Sequence, residues 1–128
     1  MPIRVLLVDD EPMFLEALRA LLEHDDRIAV VATADSGEEA VELARRRKPD
    51  VALVDLAMPG LDGFELTREL LGSEQAPRVV AVSGLSNPLD AERALDAGAS
   101  SFLLKGDLFG EIAEAIVAAS DEPGEARA

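Results

Sequence analysis

Aspartates follow two of the short apolar runs in this 128-residue chain. Asp9 and Asp10 come directly after residues 3–8, and Asp55 comes directly after residues 51–54. Carboxylates that lie close together are costly unless they are protonated or share a cation. The chain has no cysteine and one histidine, so these carboxylates predict a site for Mg²⁺ or Mn²⁺ rather than for zinc.

A hydroxyl and a cation follow two further apolar runs. Ser83 comes directly after residues 79–82, and Lys105 comes directly after residues 102–104. A lysine and a serine beside a metal are explained if an anion with several oxygens also binds there, because both side chains can contact its oxygens. The combination predicts phosphoryl transfer, with an aspartate as a possible nucleophile.

The apolar runs recur along the chain as regularly spaced strand candidates. They begin at residues 3, 28, 51, 79 and 102, and segments with helical periodicity lie between them. This repeating strand–helix unit predicts a parallel sheet covered by helices. Ligands bind such sheets at the carboxyl ends of the strands, so the polar residues above are expected to gather at one edge.

Capping residues and apolar stripes predict where the helices begin and which faces they bury. The predicted helix starts are Pro12, Ser36 with Glu39, Asp62 with Glu65, Asn87 with Pro88, and Asp107. The predicted core stripe of the first helix is Phe14, Leu18, Leu21 and Leu22, and that of the last helix is Leu108, Ile112, Ala115, Ile116 and Ala119. Gly98 is expected to end the fourth helix.

Composition excludes several classes of function. With 26 acidic and 12 basic residues the net charge is −14, which disfavours binding to nucleic acid and to anionic membranes. The absence of cysteine excludes disulfides and thiolate chemistry. No apolar run approaches the roughly 20 residues of a membrane span, and no signal peptide is apparent, so we expect a cytoplasmic protein.

Four motifs together resemble the receiver domain of two-component response regulators. They lie at residues 8–11, 55–63, 82–84 and 98–105, and the resemblance extends from residue 3 to about 120. The sequence Leu103-Leu104-Lys105-Gly106 is similar to that of the NarL/FixJ-like (LuxR-type) subclass, although many receivers have proline after the lysine. The resemblance implies a flavodoxin-like (βα)5 fold, a doubly wound parallel sheet with strand order 2-1-3-4-5.

The resemblance also implies the chemistry of the site. Asp55 would accept a phosphoryl group from a sensor histidine kinase, with Lys105 paired to the phosphate. Asp9, Asp10, Asp55 and the backbone carbonyl of Ala57 would hold Mg²⁺, for which Mn²⁺ could substitute. The domain would therefore catalyse only its own phosphorylation and dephosphorylation, and would not be an enzyme with an external product.

A conformational switch is the expected consequence of phosphorylation in such a domain. Ser83 would move to bond the phosphoryl oxygen, and Phe102 would rotate inward to fill the space behind it; the alternative is that Phe102 is an ordinary core residue. The face formed by the fourth helix, fifth strand and fifth helix would then change shape. A homodimer could form through this face or through the first and fifth helices.

The expected organisation is a receiver domain at residues 1–120 and a flexible tail, or the start of a linker to an absent DNA-binding output domain, at residues 121–128. A stand-alone receiver and a degenerate receiver that acts as a constitutive interaction module are alternatives. A phosphatase of the haloacid dehalogenase type is another, with Asp9 as nucleophile and Glu11 as general acid. In none of these does the domain itself contact nucleic acid or a membrane.

Overall fold

The strands form one parallel sheet. The computed structural model describes residues 2–58, 62–84 and 88–121, and within these ranges there are five strands. They are β1 (Ile3–Val8), β2 (Ile28–Ala34), β3 (Val51–Asp55), β4 (Arg78–Ser83) and β5 (Ser101–Leu104). Their order in the sheet is β2-β1-β3-β4-β5, with every neighbouring pair parallel. The predicted flavodoxin-like topology is therefore confirmed.

Helices cover both faces of this sheet. They are α1 (Pro12–Leu22), α2 (Gly37–Arg47), α3 (Gly63–Leu71), α4 (Pro88–Asp96) and α5 (Leu108–Ser120). Two apolar clusters form the core: α1 and α5 pack on one face of the sheet, and α2, α3 and α4 pack on the other. The central strands are buried on both faces, which explains why their sequences are continuous apolar runs.

Most predicted helix starts are confirmed. Pro12 occupies the first turn of α1. The Ser36 side chain accepts a hydrogen bond from the backbone N–H of Glu39, and Asp62 accepts one from the backbone N–H of Glu65. The capping box at Ser36 is incomplete, because the Glu39 carboxylate accepts its hydrogen bond from the N–H of Asp35 instead. Asn87 and the predicted tail at residues 122–128 lie outside the described residues.

The predicted core stripe of α1 is partly wrong. Leu15, Leu18 and Leu22 are its buried residues, whereas Leu21 is 36% exposed and Phe14 is only half-buried. The helix is rotated relative to the prediction, so Leu15 takes a core position and Phe14 meets the ring of Phe109 on α5, edge to face, at 5.8 Å. In α5 the predicted stripe is buried except for Ala115, which is partly buried.

The predicted start of α5 is confirmed, since Asp107 is its N-cap residue. Asp107 precedes the helix, but its side chain makes no capping hydrogen bond. Residues Lys105–Asp107 instead form a short 3₁₀ turn that leads directly from β5 into α5. Gly98 follows the end of α4 with a φ of 110°, a conformation that favours glycine. In the described part of the chain, none of the helices has the length and apolar character needed to cross a bilayer.

Candidate functional site

The carboxyl ends of β1 and β3 bring three aspartates together. The two strands pair in register, with Val8 opposite Val54, so the residues that follow emerge side by side. One carboxylate oxygen from each of Asp9, Asp10 and Asp55 lies within 4.8 Å of the others. Asp9 and Asp55 are only 2% and 3% exposed, whereas Asp10 faces solvent. The predicted acidic cluster is thus assembled by the fold.

Backbone N–H groups hold the two buried carboxylates. The Asp9 Oδ1 atom accepts a hydrogen bond from the N–H of Glu11 at 2.9 Å. The Asp55 Oδ1 atom accepts one from the N–H of Ala57 at 3.1 Å. In each case the turn after the strand fixes one oxygen of the carboxylate, and the other oxygen faces the same lysine.

Lys105 comes from the end of β5 and reaches across to these carboxylates. Its Nζ atom lies 2.9 Å from Asp9 Oδ2, 3.5 Å from Asp55 Oδ2 and 2.6 Å from Glu11 Oε1. The same ammonium group lies 4.5 Å from the centre of the Phe14 ring, a cation–π contact. The lysine therefore places a positive charge directly beside the buried aspartates.

Ser83 is buried at the end of β4, beside the strand that carries Asp55. In the sheet, Asp55 pairs with Val82, and Ser83 pairs with Leu104. A Cβ atom added to Gly84, the next residue, would lie 3.8 Å from Lys105 Cδ, so this end of β4 adjoins the lysine. The fold therefore brings Ser83 to the same edge of the sheet as the aspartates.

Phe102 lies within β5, opposite Ala81 of β4. Its ring is half-buried and packs against the core cluster under α2, α3 and α4. Side chains two residues apart in a strand point to the same face, so Ser83 and Ala81, and with them Phe102, share one side of the sheet. Phe102 is thus on the side of the sheet that the predicted switch requires, and it is also in contact with the core.

The electrostatics of the site favour a bound cation. Burial raises the pKa of Asp55, and the charges of Asp9 and Asp10 raise it further, while the Ala57 N–H and Lys105 act in the opposite direction. Burial also opposes the charge of Lys105, yet its hydrogen bonds with Glu11 and Asp9 raise the pKa of its ammonium group above the usual value.

These donors fit a hard divalent cation. The cluster consists entirely of carboxylates, and two of them are buried, so the negative charges lie close together in surroundings that solvate them poorly. Mg²⁺ binds through one or two carboxylates and keeps several waters, and the exposed side of Asp10 leaves room for these. The acidic cluster can therefore hold Mg²⁺.

Two contacts of Lys105 were missed in the sequence. From the sequence, Glu11 belongs to the acidic run after β1 and is the general acid of the phosphatase alternative, and Phe14 is expected in the core; neither is expected to contact Lys105. The run Asp9-Asp10-Glu11 did signal that three acidic side chains leave β1 together. Which of them would reach Lys105 depends on how the chain enters α1, and the spacing does not show this.

Comparison with known proteins gives a consistent result. The family model described as "Response regulator receiver domain" matches residues 5–117. Response regulator GacA of Pseudomonas viridiflava is 43% identical over 114 residues, which are 89% of this chain and 53% of that protein. The transcriptional regulatory protein LiaR of Bacillus subtilis is 41% identical over 118 residues, 92% of this chain and 56% of that protein. The chain thus spans about half the length of these relatives.

Solved structures show the same similarity. The receiver domain of the putative response regulator NarL from Mycobacterium tuberculosis superposes with a TM-score of 0.89 at 35% identity, covering 95% of this chain and 98% of that one. The response regulator domain of Thermotoga maritima CheB superposes with a TM-score of 0.89 at 31% identity, covering 96% and 99%. Both cover almost the whole of the present chain.

Proposed function

This chain belongs to the response regulator receiver domain family, with relatives of the NarL/FixJ (LuxR) type, and we propose that Asp55 is its phosphoryl acceptor. Receiver domains serve phosphorylation-dependent signalling. The observation that carries the proposal is the position of Lys105 Nζ, within ion-pair distance of both Asp55 and Asp9 at the edge where the acidic cluster lies. A lysine there can neutralise an anion that is built on Asp55.

The proposed reaction transfers a phosphoryl group from a phosphohistidine of a sensor histidine kinase. An Asp55 carboxylate oxygen forms a bond to phosphorus, the P–N bond to the kinase histidine breaks, and its electron pair stays on the imidazole. Lys105 pairs with a phosphoryl oxygen, and the Ser83 hydroxyl donates a hydrogen bond to another. When bound by Asp9, Asp10, Asp55 and the Ala57 carbonyl, Mg²⁺ would neutralise charge on the phosphoryl oxygens.

The proposed switch follows from the charge that this reaction adds. A phosphoryl group brings about one extra negative charge and three acceptor oxygens, which favours closer approach of Ser83 and Lys105. Movement of Ser83 away from its buried position leaves space on the side of the sheet where Phe102 packs. Rotation of Phe102 into that space would reshape the surface of α4, β5 and α5, and phosphorylation would bias an existing equilibrium between the two shapes.

The proposal also includes the process that the receiver controls. The matched residues make up only 53% of GacA and 56% of LiaR, and LiaR is described as a transcriptional regulatory protein. We therefore propose that the receiver, at residues 1–120, acts in the cytoplasm and controls transcription through a C-terminal DNA-binding domain linked from residues 121–128. A stand-alone receiver is the alternative. The family match and the strand order favour a receiver over a phosphatase of the haloacid dehalogenase type.

We expect that Asp55 is the residue phosphorylated and that its phosphorylation depends on Mg²⁺. The protein would be incubated with acetyl phosphate, the acyl phosphate would be reduced with borohydride, and the peptides would be mapped by mass spectrometry. We expect modification at Asp55 that is lost when EDTA is added. The matched control is Asp35→Asn, because Asp35 is an exposed aspartate that follows β2 at the same edge of the sheet and should not affect labelling.

Two results would contradict this assignment. Labelling of Asp9 rather than Asp55 would favour the haloacid dehalogenase alternative, as would rapid turnover of p-nitrophenyl phosphate. Absence of labelling with acetyl phosphate, together with an unchanged structure in the presence of Mg²⁺, would favour a degenerate receiver that acts as a constitutive interaction module.

Dimerisation is expected to respond to the phosphoryl group. Leu89 and Leu95 on α4 and Phe109 on α5 are large, exposed apolar side chains next to the surface that the switch would reshape. Sedimentation velocity would be measured with and without beryllofluoride and Mg²⁺, and we expect a faster-sedimenting dimer only with both. A monomer at high concentration under both conditions would contradict dimerisation through this surface or through α1 and α5.

A further inference from the structure

Glu11 contributes the shortest contact that Lys105 makes with a carboxylate in the described residues. The Glu11 Oε1 atom lies 2.6 Å from Lys105 Nζ, whereas the two buried aspartates lie 2.9 Å and 3.5 Å away. The Glu11 side chain is 64% exposed, and that of Lys105 is only 19% exposed. The lysine is therefore held between the buried carboxylates and an outer one that remains in contact with water.

The start of α1 leaves the Glu11 side chain available for this contact. Glu11 is the N-cap residue, Pro12 follows it, and the Glu11 side chain makes no capping hydrogen bond to the helix. Its backbone N–H instead donates to Asp9, which fixes the position of the residue beside the acidic cluster. Among the described residues, the Glu11 carboxylate therefore makes no capping bond to the helix, and its hydrogen bond is with the lysine.

We propose that Glu11 is a positioning residue that competes with the phosphoryl group for Lys105 and thereby weakens phosphoryl binding. The inference rests on the proposed function, because it assumes that Lys105 pairs with a phosphoryl group on Asp55. It adds a role for a side chain that this reaction does not otherwise use.

Two physical effects act in the same direction. A phosphoryl oxygen can approach Lys105 fully only when the ammonium group shares or gives up its hydrogen bond with Glu11. The Glu11 carboxylate also places a negative charge close to the incoming anion, and charges this close repel each other. Because Glu11 is exposed, it can return to water at little cost, so the competition should be modest and of the size found for exposed ion pairs.

The Glu11 charge should have the opposite effect on the binding of a cation. A negative charge beside the acidic cluster attracts Mg²⁺ and repels an anion, so loss of the Glu11 charge should affect the two ligands differently. A general loosening of the site would weaken both. This difference separates competition from mere structural support.

The experiment compares binding of beryllofluoride, a phosphoryl analogue, to the wild-type chain and to Glu11→Gln. Binding would be followed by ¹⁹F NMR at saturating Mg²⁺, because the chain has neither tryptophan nor tyrosine to report it by fluorescence. We expect Glu11→Gln to bind the analogue about threefold more tightly. Its affinity for Mg²⁺ alone, measured by calorimetry, should be equal or slightly weaker.

Two further variants make the test specific. Glu16→Gln removes the same charge from an exposed position further along α1 and should leave both affinities unchanged. Lys105→Met in combination with Glu11→Gln completes a double-mutant cycle, and most of the gain from Glu11→Gln should be lost in the absence of the lysine.

The outcomes distinguish the two proposals. If wild-type protein with Mg²⁺ fails to bind beryllofluoride, the proposed function is wrong, and the role of Glu11 is wrong with it. If the wild type binds the analogue and Glu11→Gln binds it equally well or more weakly, only the competition is overturned. A gain of equal size in the Lys105→Met background would likewise overturn it, because the effect would then not pass through the lysine.

Discussion

Replacement of Asp55 by asparagine is expected to abolish labelling by acetyl phosphate and, at the same time, to make the protein more stable. The amide is nearly the same size as the carboxylate, but it is uncharged and is not a nucleophile for phosphorus. Because Asp55 is 3% exposed and lies beside Asp9 and Asp10, its charge is costly in the folded state. The acceptor would thus be a residue kept for function at the expense of stability.

The raised pKa of Asp55 determines the sign of this effect. Between the pKa of the unfolded chain and the higher pKa of the folded protein, the folded state binds more protons. The free energy of unfolding contributed by this group therefore falls as the pH rises through that interval. Asparagine avoids this loss, and we expect Asp55→Asn to raise the free energy of unfolding by about 1 kcal/mol at pH 7.

Urea unfolding without divalent cations, at pH 7, measures this gain. In a thermal unfolding experiment under the same conditions, the melting temperature of Asp55→Asn should be about 4 °C higher than that of the wild type. Asp35→Asn is again the matched control, and as an exposed substitution it should change stability by less than about 0.5 kcal/mol. Added Mg²⁺ should stabilise the wild type more than Asp55→Asn, because a ligand stabilises the state that binds it. A less stable Asp55→Asn protein, or one that is still labelled, would contradict the assignment.

The sequence indicated the main parts of this site for a simple reason. A central parallel strand is buried on both faces, so its sequence is a continuous apolar run, and the first polar residue after the run marks the carboxyl end of the strand. Asp9, Asp55 and Ser83 follow such runs, and Lys105 follows the shorter, partly buried apolar run of the edge strand β5. Once the parallel sheet is inferred, their convergence at one edge follows from the topology.

The contacts of α1 could not be predicted in the same way. Successive helical residues are about 100° apart around the axis, so an error of one position changes which side chains face the core. This error placed Leu21 in the core instead of Leu15. The contacts of Phe14 and Glu11 with Lys105 were not predicted either. They depend on how α1 packs against the sheet, and the spacing of residues in the sequence does not determine this.

Gly63→Ala is expected to cause the largest loss of stability among the substitutions considered. Gly63 is the first residue of α3, and a Cβ atom added to it would lie 2.3 Å from Leu56 Cα and 2.7 Å from the carbonyl oxygen of Asp55. Both are backbone atoms, so neither can move aside as a flexible side chain would. Since overpacking of this kind costs a few kcal/mol, we expect the free energy of unfolding to fall by about 3 kcal/mol.

The substitution should also impair phosphorylation, because the clash falls on the backbone of Asp55, the proposed phosphoryl acceptor. The Gly63 N–H donates to the Leu56 carbonyl oxygen at 3.3 Å, so the start of α3 rests directly on the segment that follows Asp55. Relief of the clash must shift either the helix or that segment. If the segment moves, the Ala57 N–H can no longer hold the Asp55 carboxylate in its present position.

Urea unfolding and acetyl phosphate labelling of the folded fraction would test both effects of Gly63→Ala. Gly110→Ala is the matched control, since a Cβ atom added at Gly110 in α5 meets nothing within 4 Å. Alanine also favours a helix over glycine, so this control should gain about 0.5–1 kcal/mol. Wild-type stability and labelling in Gly63→Ala would mean that the start of α3 moves without disturbing Asp55, and the close approach would then not position the acceptor. The expected loss of both stability and labelling would show that the position of Asp55 depends on the absence of a side chain at residue 63. There the backbone of α3 packs directly against the end of β3.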